Sequence, residues 1–248
     1  PPLDAPWKSY VGAFRAPYVH GLTIGEIARM AKNAPGVLKI PRVFDISDEV
    51  RAKGKLTVIR MRGWTRNMRW PETGLKWVQT SPAIPDFASA VGYPMTGLGT
   101  YLGGFSHGIG KDYLFRGIAH SQIPNLKLEQ ELIALNLPGL NFRRVEVMGK
   151  NGKPAWGIYL EITDWDAWNP TELNFHLMHL ACLYEKKNPF AEAANSGKSR
   201  GFIVHTGSEA FFDALARDGA QVDIRAWFAN WKQQALVYQQ ASRKYWLY

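Results

Sequence analysis

The sequence of 248 residues predicts an α+β fold, in which a mixed sheet with an antiparallel hairpin is packed by several helices in a single domain. Helix and strand patterns come in mixed order without a regular β-α-β rhythm, which disfavours a doubly wound parallel sheet. Asn151-Gly152 separates two alternating runs, FRRVEVMG and PAWGIYLEIT, and Asn-Gly in this setting is a strong hairpin signal. The hydrophobic share of 46% is sufficient for a sizeable core.

The first helix follows residues 1–20, which are predicted to form an extended connector because they are rich in proline and have no period. Thr23 is followed three residues later by Glu26, which predicts a capping box and a helix that runs to Asn33. Glu26 also lies close to His20, so the two could form a catalytic pair. The cap alone is sufficient to explain the glutamate.

Residues 54–110 are the stretch around which the rest of the chain is predicted to be organised. The stretch opens as a strand, in which Thr57, Ile59 and Met61 alternate with Val58 and two arginines and are expected to face a core. An irregular loop rich in tryptophan follows, and residues 97–110 then contain six glycines. Long ordered loops of this kind are usually functional, so the two loops are predicted to form one wall of a polar, aromatic-lined cleft.

Capping and periodicity predict four further helices in the second half of the chain. They are a short amphipathic helix over residues 126–137, a helix from Asn169-Pro170 to about Lys187, a helix between Ser208 and Gly219, and a last helix from about Asp223 to Lys244. The last helix carries an apolar stripe that is expected to face the core: Ile224, Trp227, Phe228, Trp231, Ala235 and Tyr238.

The formal net charge of +9 would suit a nucleic-acid-binding protein, but the distribution of the charge argues against one. Lysines and arginines are scattered without a basic run, and no zinc-finger, homeodomain or ribonucleoprotein signature is present. The same charge fits an anionic polymer of another kind, such as a cell-wall glycan. No apolar run approaches the roughly 20 residues that span a bilayer.

The sequence predicts no cofactor and no metal. A glycine-rich phosphate loop is not present. His176 and His179 are three residues apart on a predicted helix, but a zinc site needs three or four ligands and no H-E-x-x-H motif or cysteine pair accompanies them. Cys182 is the single cysteine, and it is predicted to act as a small core residue.

Several motifs closely resemble a bacterial family of exo-β-N-acetylmuramidases, formerly a family of unknown function. They are HGLTIGE from His20, LTVIRMRGWTRNMRW with ETGLKWV, SPAIP from Ser81, YPMTGLGT, GIYLEITD and the terminal KYWLY. The resemblance implies a glycoside hydrolase that acts on peptidoglycan-derived muramic acid glycans or muropeptides in the bacterial periplasm or cell envelope. It also implies an upstream Rossmann-like domain, in the same or a separate chain, with residues 1–20 as the connector and residues 21–248 as the C-terminal domain.

The chain departs from the family pattern in the glycine-rich loop. The family typically has E-G-T-N followed by S-E-G-R-G-T, whereas this chain has Leu98-Gly99-Thr100-Tyr101 and then Ser106-His107-Gly108-Ile109-Gly110-Lys111, without two acids and an arginine. The usual S-P-N motif appears as Ser81-Pro82-Ala83, so an amide is also absent. A catalytic acid and base are therefore not identified in this chain.

Glycoside hydrolysis commonly needs two carboxyl groups about 5 to 10 Å apart, and the central loops supply no good pair. Glu72 and Asp86 lie beside prolines in predicted turns. Asp164 lies at the end of a predicted strand, where it could face a cleft or could cap the backbone of its own loop. If the protein hydrolyses glycans, the resemblance implies that the acids come largely from the upstream domain.

The residues better support binding of an acidic sugar. Arg66 could grip a carboxylate through two parallel hydrogen bonds, and Trp64 could lie against a sugar ring. Alternatively, Arg66 pairs with Asp86 or Glu72 and Trp64 belongs to the core. The other candidate substrate-binding residues are His20, Ser81, Thr100, Tyr101, Ser106, His107 and Asp164, and His107 could also transfer a proton where the family keeps a glutamate.

Three hypotheses follow from the sequence. The first is an exo-muramidase-like hydrolase domain that is active only with its upstream domain. The second is a non-catalytic glycan-binding module descended from such enzymes. The third is an assembly subunit that docks through the aromatic surface of residues 1–20.

Overall fold

The computed structural model describes residues 16–37, 39–40, 44–149 and 151–248, with backbone only for residues 39–40 and 44–45. Most of the predicted connector, residues 1–15, lies outside the described residues, as does most of the aromatic surface proposed for it. Where the sequence predicts a single domain, the chain divides into two compact units. Unit 1 comprises residues up to Lys76, Thr206–Glu209 and Arg225–Tyr248, and unit 2 comprises Trp77–His205 and Ala210–Ile224.

The described residues form an α+β fold, as the sequence predicts. Their helices are α1 (Ile24–Asn33), α2 (Asp48–Lys53), α3 (Phe87–Thr96), α4 (Asn125–Ala134), α5 (Glu172–Tyr184), α6 (Pro189–Asn195), α7 (Ser199–Thr206), α8 (Glu209–Asp218) and α9 (Ile224–Ser242). Their strands are β1 (Lys39–Ile40), β2 (Phe44–Asp45), β3 (Gly108–Ile109), β4 (Tyr113–Leu114), β5 (Gly117–Ile118), β6 (Leu140–Met148) and β7 (Pro154–Ile162). None of these helices combines the length and the apolar character needed to cross a bilayer.

Unit 1 is built around α1 and the end of the chain. The capping box predicted for α1 is confirmed, since Thr23 Oγ1 accepts from the Glu26 backbone and Glu26 Oε2 accepts from the Thr23 backbone at 2.8 Å. The apolar face of α1 packs against α9 and the segment after it, in a small core of Leu22, Met30 and Tyr245 bordered by Ile27, Ala34, Val37, Tyr238 and Trp246. Burial of this face is what holds a ten-residue helix in place.

Unit 2 is built around a three-stranded sheet in the order β5-β7-β6. The predicted hairpin is confirmed: β6 and β7 are antiparallel over their whole length, with Phe142 opposite Leu160. One face of the sheet is covered by α4 and α5, which contribute fully buried leucines to the main core. The core residues from these elements are Ile118, Leu128, Leu132, Ile158, Leu160, Leu173 and Leu177.

Three predictions about local structure are wrong. All strand pairs of the described residues are antiparallel, so the sheets are not mixed. Residues 55–61 have no strand assignment, and Ile59 is 90% exposed, because no described strand lies beside them to supply ladder hydrogen bonds or a core. The helix predicted to begin at Asn169-Pro170, α5, begins at Glu172. Asn169 instead uses its side chain and carbonyl to form the preceding turn.

The remaining predicted helices are confirmed with shifts of a few residues at their ends. Helix α4 covers most of residues 126–137, and its Leu128 and Leu132 are fully buried. Helix α8 begins after Ser208 and ends before Gly219, as predicted. Helix α9 ends at Ser242, and a short 3-10 turn, Arg243–Tyr245, leads into the last three residues of the chain.

Candidate functional site

A cavity of about 680 Å³ lies within unit 1 and includes three of the candidate residues identified from the sequence, His20, Trp64 and Arg66. Hereafter it is called the unit 1 pocket. Its walls come from the turn before α1, the irregular loop after residue 62, one face of α9 and the end of the chain. Its lining residues are Pro17, Val19, His20, Gly21, Leu22, Thr23, Trp64, Arg66, Lys232, Ala235, Leu236, Tyr238, Gln239 and Trp246.

His20 is held in one orientation by the backbone of its own turn. The Leu22 N–H donates to His20 Nδ1 at 3.0 Å, so in the neutral ring the proton belongs on Nε2. Burial lowers the pKa of His20 below its ordinary value of 6.5, because the charged form loses hydration. At neutral pH His20 is therefore an uncharged hydrogen-bond donor through Nε2.

Arg66 is anchored by the scaffold of unit 1. Its Nη2 donates to Glu26 Oε1 at 2.6 Å, its Nη1 donates to the Gly21 carbonyl, and its Nε and Nη2 lie 3.4 and 3.3 Å from the Tyr248 carbonyl oxygen. The guanidinium carbon also lies 4.2 Å from the centroid of a ring of Trp246. Each nitrogen of the guanidinium group already has a protein acceptor.

Glu26 is the buried carboxylate of this network. Its side chain is fully buried, and it accepts hydrogen bonds from the backbone N–H groups of Thr23 and Leu247 as well as from Arg66. Burial by itself raises the pKa of Glu26. The two backbone donors and the Arg66 guanidinium together outweigh burial, so the net pKa is lowered and the carboxylate stays ionised.

This network answers the question that the sequence left open about Arg66. Arg66 does pair with a carboxylate of the protein, but the partner is Glu26 and neither Asp86 nor Glu72. Asp86 accepts from the Ser89 N–H and hydroxyl and so caps α3, and Glu72 accepts from the Arg69 N–H. The role of Arg66 toward a ligand stays a prediction.

Two indole rings lie in the pocket wall, and they differ in how much of their surface is already covered. Trp246 has Arg66 over one ring at 4.2 Å and the Arg243 guanidinium 5.8 Å from the centroid. Trp64 makes one edge contact, with Tyr248 at 4.9 Å between ring centroids. Trp64 is therefore the indole better able to accept the apolar face of a sugar.

One face of α9 completes the pocket, and the sequence did not identify its polar residues, Lys232 and Gln239, as part of a site. Lys232, Ala235, Leu236 and Gln239 all line the cavity, and their spacing of three, four and seven residues puts them on one side of a helix. The sequence revealed the neighbouring apolar stripe from Ile224 to Tyr238, which marks the core side. A polar residue at Lys232 or Gln239 carries no such signal, since most exposed helix positions are polar.

The glycine-rich segment of unit 2 supports packing through its polar side chains. Thr100 is fully buried and its hydroxyl donates to the Thr96 carbonyl, while Ser106 Oγ accepts from the Ala119 N–H at 2.8 Å. Gly103 allows α5 to approach closely, because a Cβ there would lie 2.6 Å from Ala181 Cβ. These contacts explain much of the segment without a ligand.

Tyr101 and His107 form a cluster of rings in the same segment. Tyr101 is 42% exposed and makes edge contacts with His107 at 6.1 Å and with His205 at 5.9 Å between centroids. Burial lowers the pKa of His107, and the nearby His205 lowers it further. His107 Nε2 is buried and has no hydrogen-bond partner among the described residues. A neutral imidazole is the form available here at pH 7.

The last candidates lie in local turns of unit 2. Ser81 Oγ accepts from the Ala83 N–H, and Asp164 Oδ1 accepts from the N–H groups of Asp166 and Ala167. These two hydrogen bonds agree with the alternative in which the Asp164 carboxylate caps its own loop, and a contact of Asp164 with a ligand stays a prediction. His176 and His179 lie on α5, where His179 Nε2 contacts the Ala220 carbonyl at 3.0 Å. No group of three or more metal-ligating side chains occurs among the described residues.

The described structure thus collects His20, Trp64 and Arg66 in unit 1, and Thr100, Tyr101, Ser106 and His107 in one segment of unit 2. Ser81 and Asp164 lie elsewhere in unit 2. The predicted cleft wall that combines the loops of residues 54–76 and 97–110 stays a prediction, since the two loops belong to different units.

Comparisons with known proteins identify relatives along the whole chain. The curated peptidoglycan beta-N-acetylmuramidase NamZ of Bacillus subtilis (strain 168) is 33% identical over 172 residues, which cover 67% of this chain and 37% of that protein. The crystal structure of a DUF1343 family protein from Bacteroides fragilis NCTC 9343 matches with a TM-score of 0.77 at 27% identity, over 100% of this chain and 61% of the other. The chain therefore spans only part of the length of these relatives.

Family models divide the chain in the same order. Residues 1–88 match the model described as exo-beta-N-acetylmuramidase NamZ, N-terminal, and residues 91–248 match the model described as exo-beta-N-acetylmuramidase NamZ, C-terminal. The second match alone covers more than half of the chain. The resemblance noted in the sequence is confirmed: this chain belongs to the exo-β-N-acetylmuramidase NamZ family.

Proposed function

We propose that this chain is the glycan-binding part of an exo-β-N-acetylmuramidase that releases N-acetylmuramic acid from peptidoglycan-derived glycans in the bacterial periplasm or cell envelope. The observation that carries the proposal is the match of both family models, in order, to residues 1–88 and 91–248. The named relative from Bacillus subtilis supports the same substrate class.

The unit 1 pocket has the chemistry that such a glycan needs. A volume of about 680 Å³ is in the range of small-molecule sites. Trp64 offers an apolar ring face, and His20 offers a neutral hydrogen-bond donor. Lys232 offers a positive charge toward an acidic sugar. His20 is the first residue of the family motif HGLTIGE, and Trp64 lies in the family motif LTVIRMRGWTRNMRW.

Hydrolysis needs carboxyl groups that the pocket does not supply. None of the described residues that line it is Asp or Glu, and the nearby Glu26 is ionised and saturated with donors. A general acid must hold a proton near neutral pH, which Glu26 cannot do with a lowered pKa. The catalytic carboxyl groups therefore belong to another part of the protein, and we assign them to an upstream Rossmann-like domain.

The exposed stretch of residues 55–62 supports such a domain. Its backbone has no strand partner among the described residues, and Leu56, Ile59 and Met61 are 40%, 90% and 46% exposed. An exposed apolar segment without a strand partner of its own can pair with a strand of another domain. A strand of the upstream domain would pair with it and cover these side chains.

The test compares two proteins, this chain alone and this chain expressed together with the coding sequence that precedes residue 1. We expect the longer protein to release a chromophore from an N-acetylmuramic acid glycoside and the shorter protein to be inactive. An inactive longer protein that is folded by circular dichroism would contradict hydrolysis.

A second candidate function is a binding module without activity. It is favoured by the lack of an acid in the pocket lining and by the altered glycine-rich loop, in which His107 stands near the position where the family keeps a glutamate. In that case the longer protein would bind muramic acid glycans in calorimetry without turnover. A failure of both proteins to bind at millimolar ligand would contradict both functions.

A further inference from the structure

Lys232 differs from the other charged residues of the unit 1 pocket. It lines the cavity from α9, its side chain is exposed, and it makes no hydrogen bond or ion pair with the residues that the structure describes. Arg66, in contrast, donates to Glu26 and to two backbone carbonyls. An ammonium group without a protein partner can turn toward a ligand at no cost in broken contacts.

The charge of the pocket at neutral pH comes from Lys232. The positive charge of Arg66 is balanced by Glu26 at 2.6 Å. Burial lowers the pKa of His20, and burial raises the pKa of Tyr238 to about 12, so both side chains are uncharged at pH 7. The net charge of the lining side chains, counted with that of Glu26, is therefore that of one ammonium group.

The position of Lys232 on α9 suits a role in recognition. Gln239 lies two helical turns further on and on the same face, about 10 Å along the axis at 1.5 Å per residue. Ala235 and Leu236 lie between them and keep the middle of this face apolar. The face thus offers a cation at one end, an amide at the other, and an apolar surface between the two.

We propose that Lys232 binds the carboxylate of an acidic amino sugar in the unit 1 pocket, while the sugar ring lies on Trp64, and that α9 thereby sets a preference for acidic over neutral sugars. This inference deepens the proposed function, because it rests on a glycan entering that pocket. It gives to Lys232 the contact that the sequence suggested for Arg66.

The binding mode has two measurable properties. Lysine pairs with a carboxylate as a point charge, so Lys232→Arg retains most of the affinity and Lys232→Gln does not. The pair forms at a solvent-exposed position, so affinity for the acidic sugar falls as salt rises, because the Debye length shortens from about 10 Å at 0.1 M to about 3 Å at 1 M salt. Affinity for a neutral sugar does not depend on salt in this way.

The experiment is calorimetry of this chain with N-acetylmuramic acid and with N-acetylglucosamine, which lacks the lactyl carboxylate. We expect the wild type to bind the acidic sugar about three- to fivefold more tightly, as one solvent-exposed ion pair predicts. Lys232→Gln should lower the affinity for the acidic sugar by the same factor and leave the affinity for the neutral sugar unchanged. Arg225→Gln is the matched control, because Arg225 is an exposed cation on the same helix that does not line the pocket.

Each outcome has a distinct meaning. Equal loss in Lys232→Gln and Arg225→Gln, or no loss in Lys232→Gln, overturns the role of Lys232 while sugar binding itself upholds the proposed function. If neither sugar binds the wild type at millimolar concentration, the pocket is not a sugar site, and both the inference and the pocket part of the proposed function fall. Thermal melts verify that Lys232→Gln is folded, as expected for an exposed position.

Discussion

The Glu26–Arg66 network of unit 1 and the glycine-rich segment of unit 2 hold their polar side chains in place in different ways. Both are irregular stretches with polar side chains that the sequence marks as candidate ligand sites. In unit 1 the charged groups are joined by hydrogen bonds to each other and to the last residues of the chain. In unit 2 the rings of Tyr101 and His107 meet edge to edge, and glycines allow close approach of neighbouring backbone.

The comparison shows how a residue that resembles a ligand contact in the sequence can instead hold the fold together. Arg66 looks free in the sequence because its partners are 40 and 182 residues away, at Glu26 and Tyr248. Six glycines look like a ligand loop, but Gly103 is needed for the packing of α5. A residue such as Lys232, with no partner in the described structure, is a better candidate for a ligand contact than either.

The largest effect is expected in the Glu26–Arg66 network. Replacing one member of a buried pair leaves the other charge without compensation, so Glu26→Ala and Arg66→Ala should each lower the free energy of unfolding by about 3 to 5 kcal/mol. Urea denaturation followed by tryptophan fluorescence measures this loss.

The matched control is Lys187→Ala, which breaks the exposed Lys187–Glu192 pair in unit 2. At side-chain exposures of 79% and 57%, that pair should be worth no more than about 1 kcal/mol. Similar small losses in all three variants would mean that Arg66 is not an anchor of unit 1 and would return it to the list of ligand contacts.

A smaller effect is expected for Gly103→Ala in unit 2. The new Cβ would lie 2.6 Å from Ala181 Cβ, and neither methyl group can rotate away, so the α5 contact must open. Overpacking of this kind costs about 1 to 3 kcal/mol of stability.

Gly54→Ala is the control for the glycine substitution. Gly54 has φ near −67°, and the nearest atom to a Cβ there is the Arg51 carbonyl oxygen at 3.4 Å. Its substitution should change stability by less than about 1 kcal/mol, and in the stabilising direction. If Gly103→Ala is equally neutral, the glycine is present for another reason than packing.

Sequence reasoning identified what depends on near neighbours. Three predicted features are present: the capping box at Thr23 and Glu26, the Asn151-Gly152 hairpin and the apolar stripe of α9. Each depends on residues that are close together in the sequence. It failed for the stretch around Ile59, because a strand needs a partner that the alternating pattern cannot supply. It also missed Lys232 and Gln239, since their place in the pocket depends on a loop more than 160 residues earlier in the chain.

Two kinds of buried side chain, the histidines and Glu26, should lose their contribution to stability at different pH. The pKa values of His20, His107 and His205 are lowered by burial, so the unfolded chain binds more protons than the folded chain just below pH 6.5. Stability should therefore fall as the pH is lowered through about 6.5. Glu26 has a lowered pKa as a carboxylic acid, so its contribution is lost only as the pH falls below its ordinary value of 4.5.

Urea denaturation at half-unit pH steps from 8 to 3 measures these two ranges of pH. His107→Gln should reduce the pH dependence of the free energy of unfolding just below pH 6.5. Glu26→Gln should reduce it only below pH 4.5. A pH dependence just below pH 6.5 that is equally steep in wild type and in His107→Gln would show that His107 is as exposed to solvent as in the unfolded chain.

The most direct test of the central claim, that the unit 1 pocket binds an acidic sugar, is a titration of the ¹⁵N-labelled chain with N-acetylmuramic acid, followed through the tryptophan indole N–H signals. Single Trp→Phe variants assign the signals. The account predicts that the signals of Trp64 and Trp246, which line the pocket, shift in a saturable way. Trp156 of β7, which is 50% exposed in unit 2, should not shift. Saturable shifts of Trp156 without shifts of Trp64 and Trp246, or no shifts at millimolar sugar, would contradict the claim.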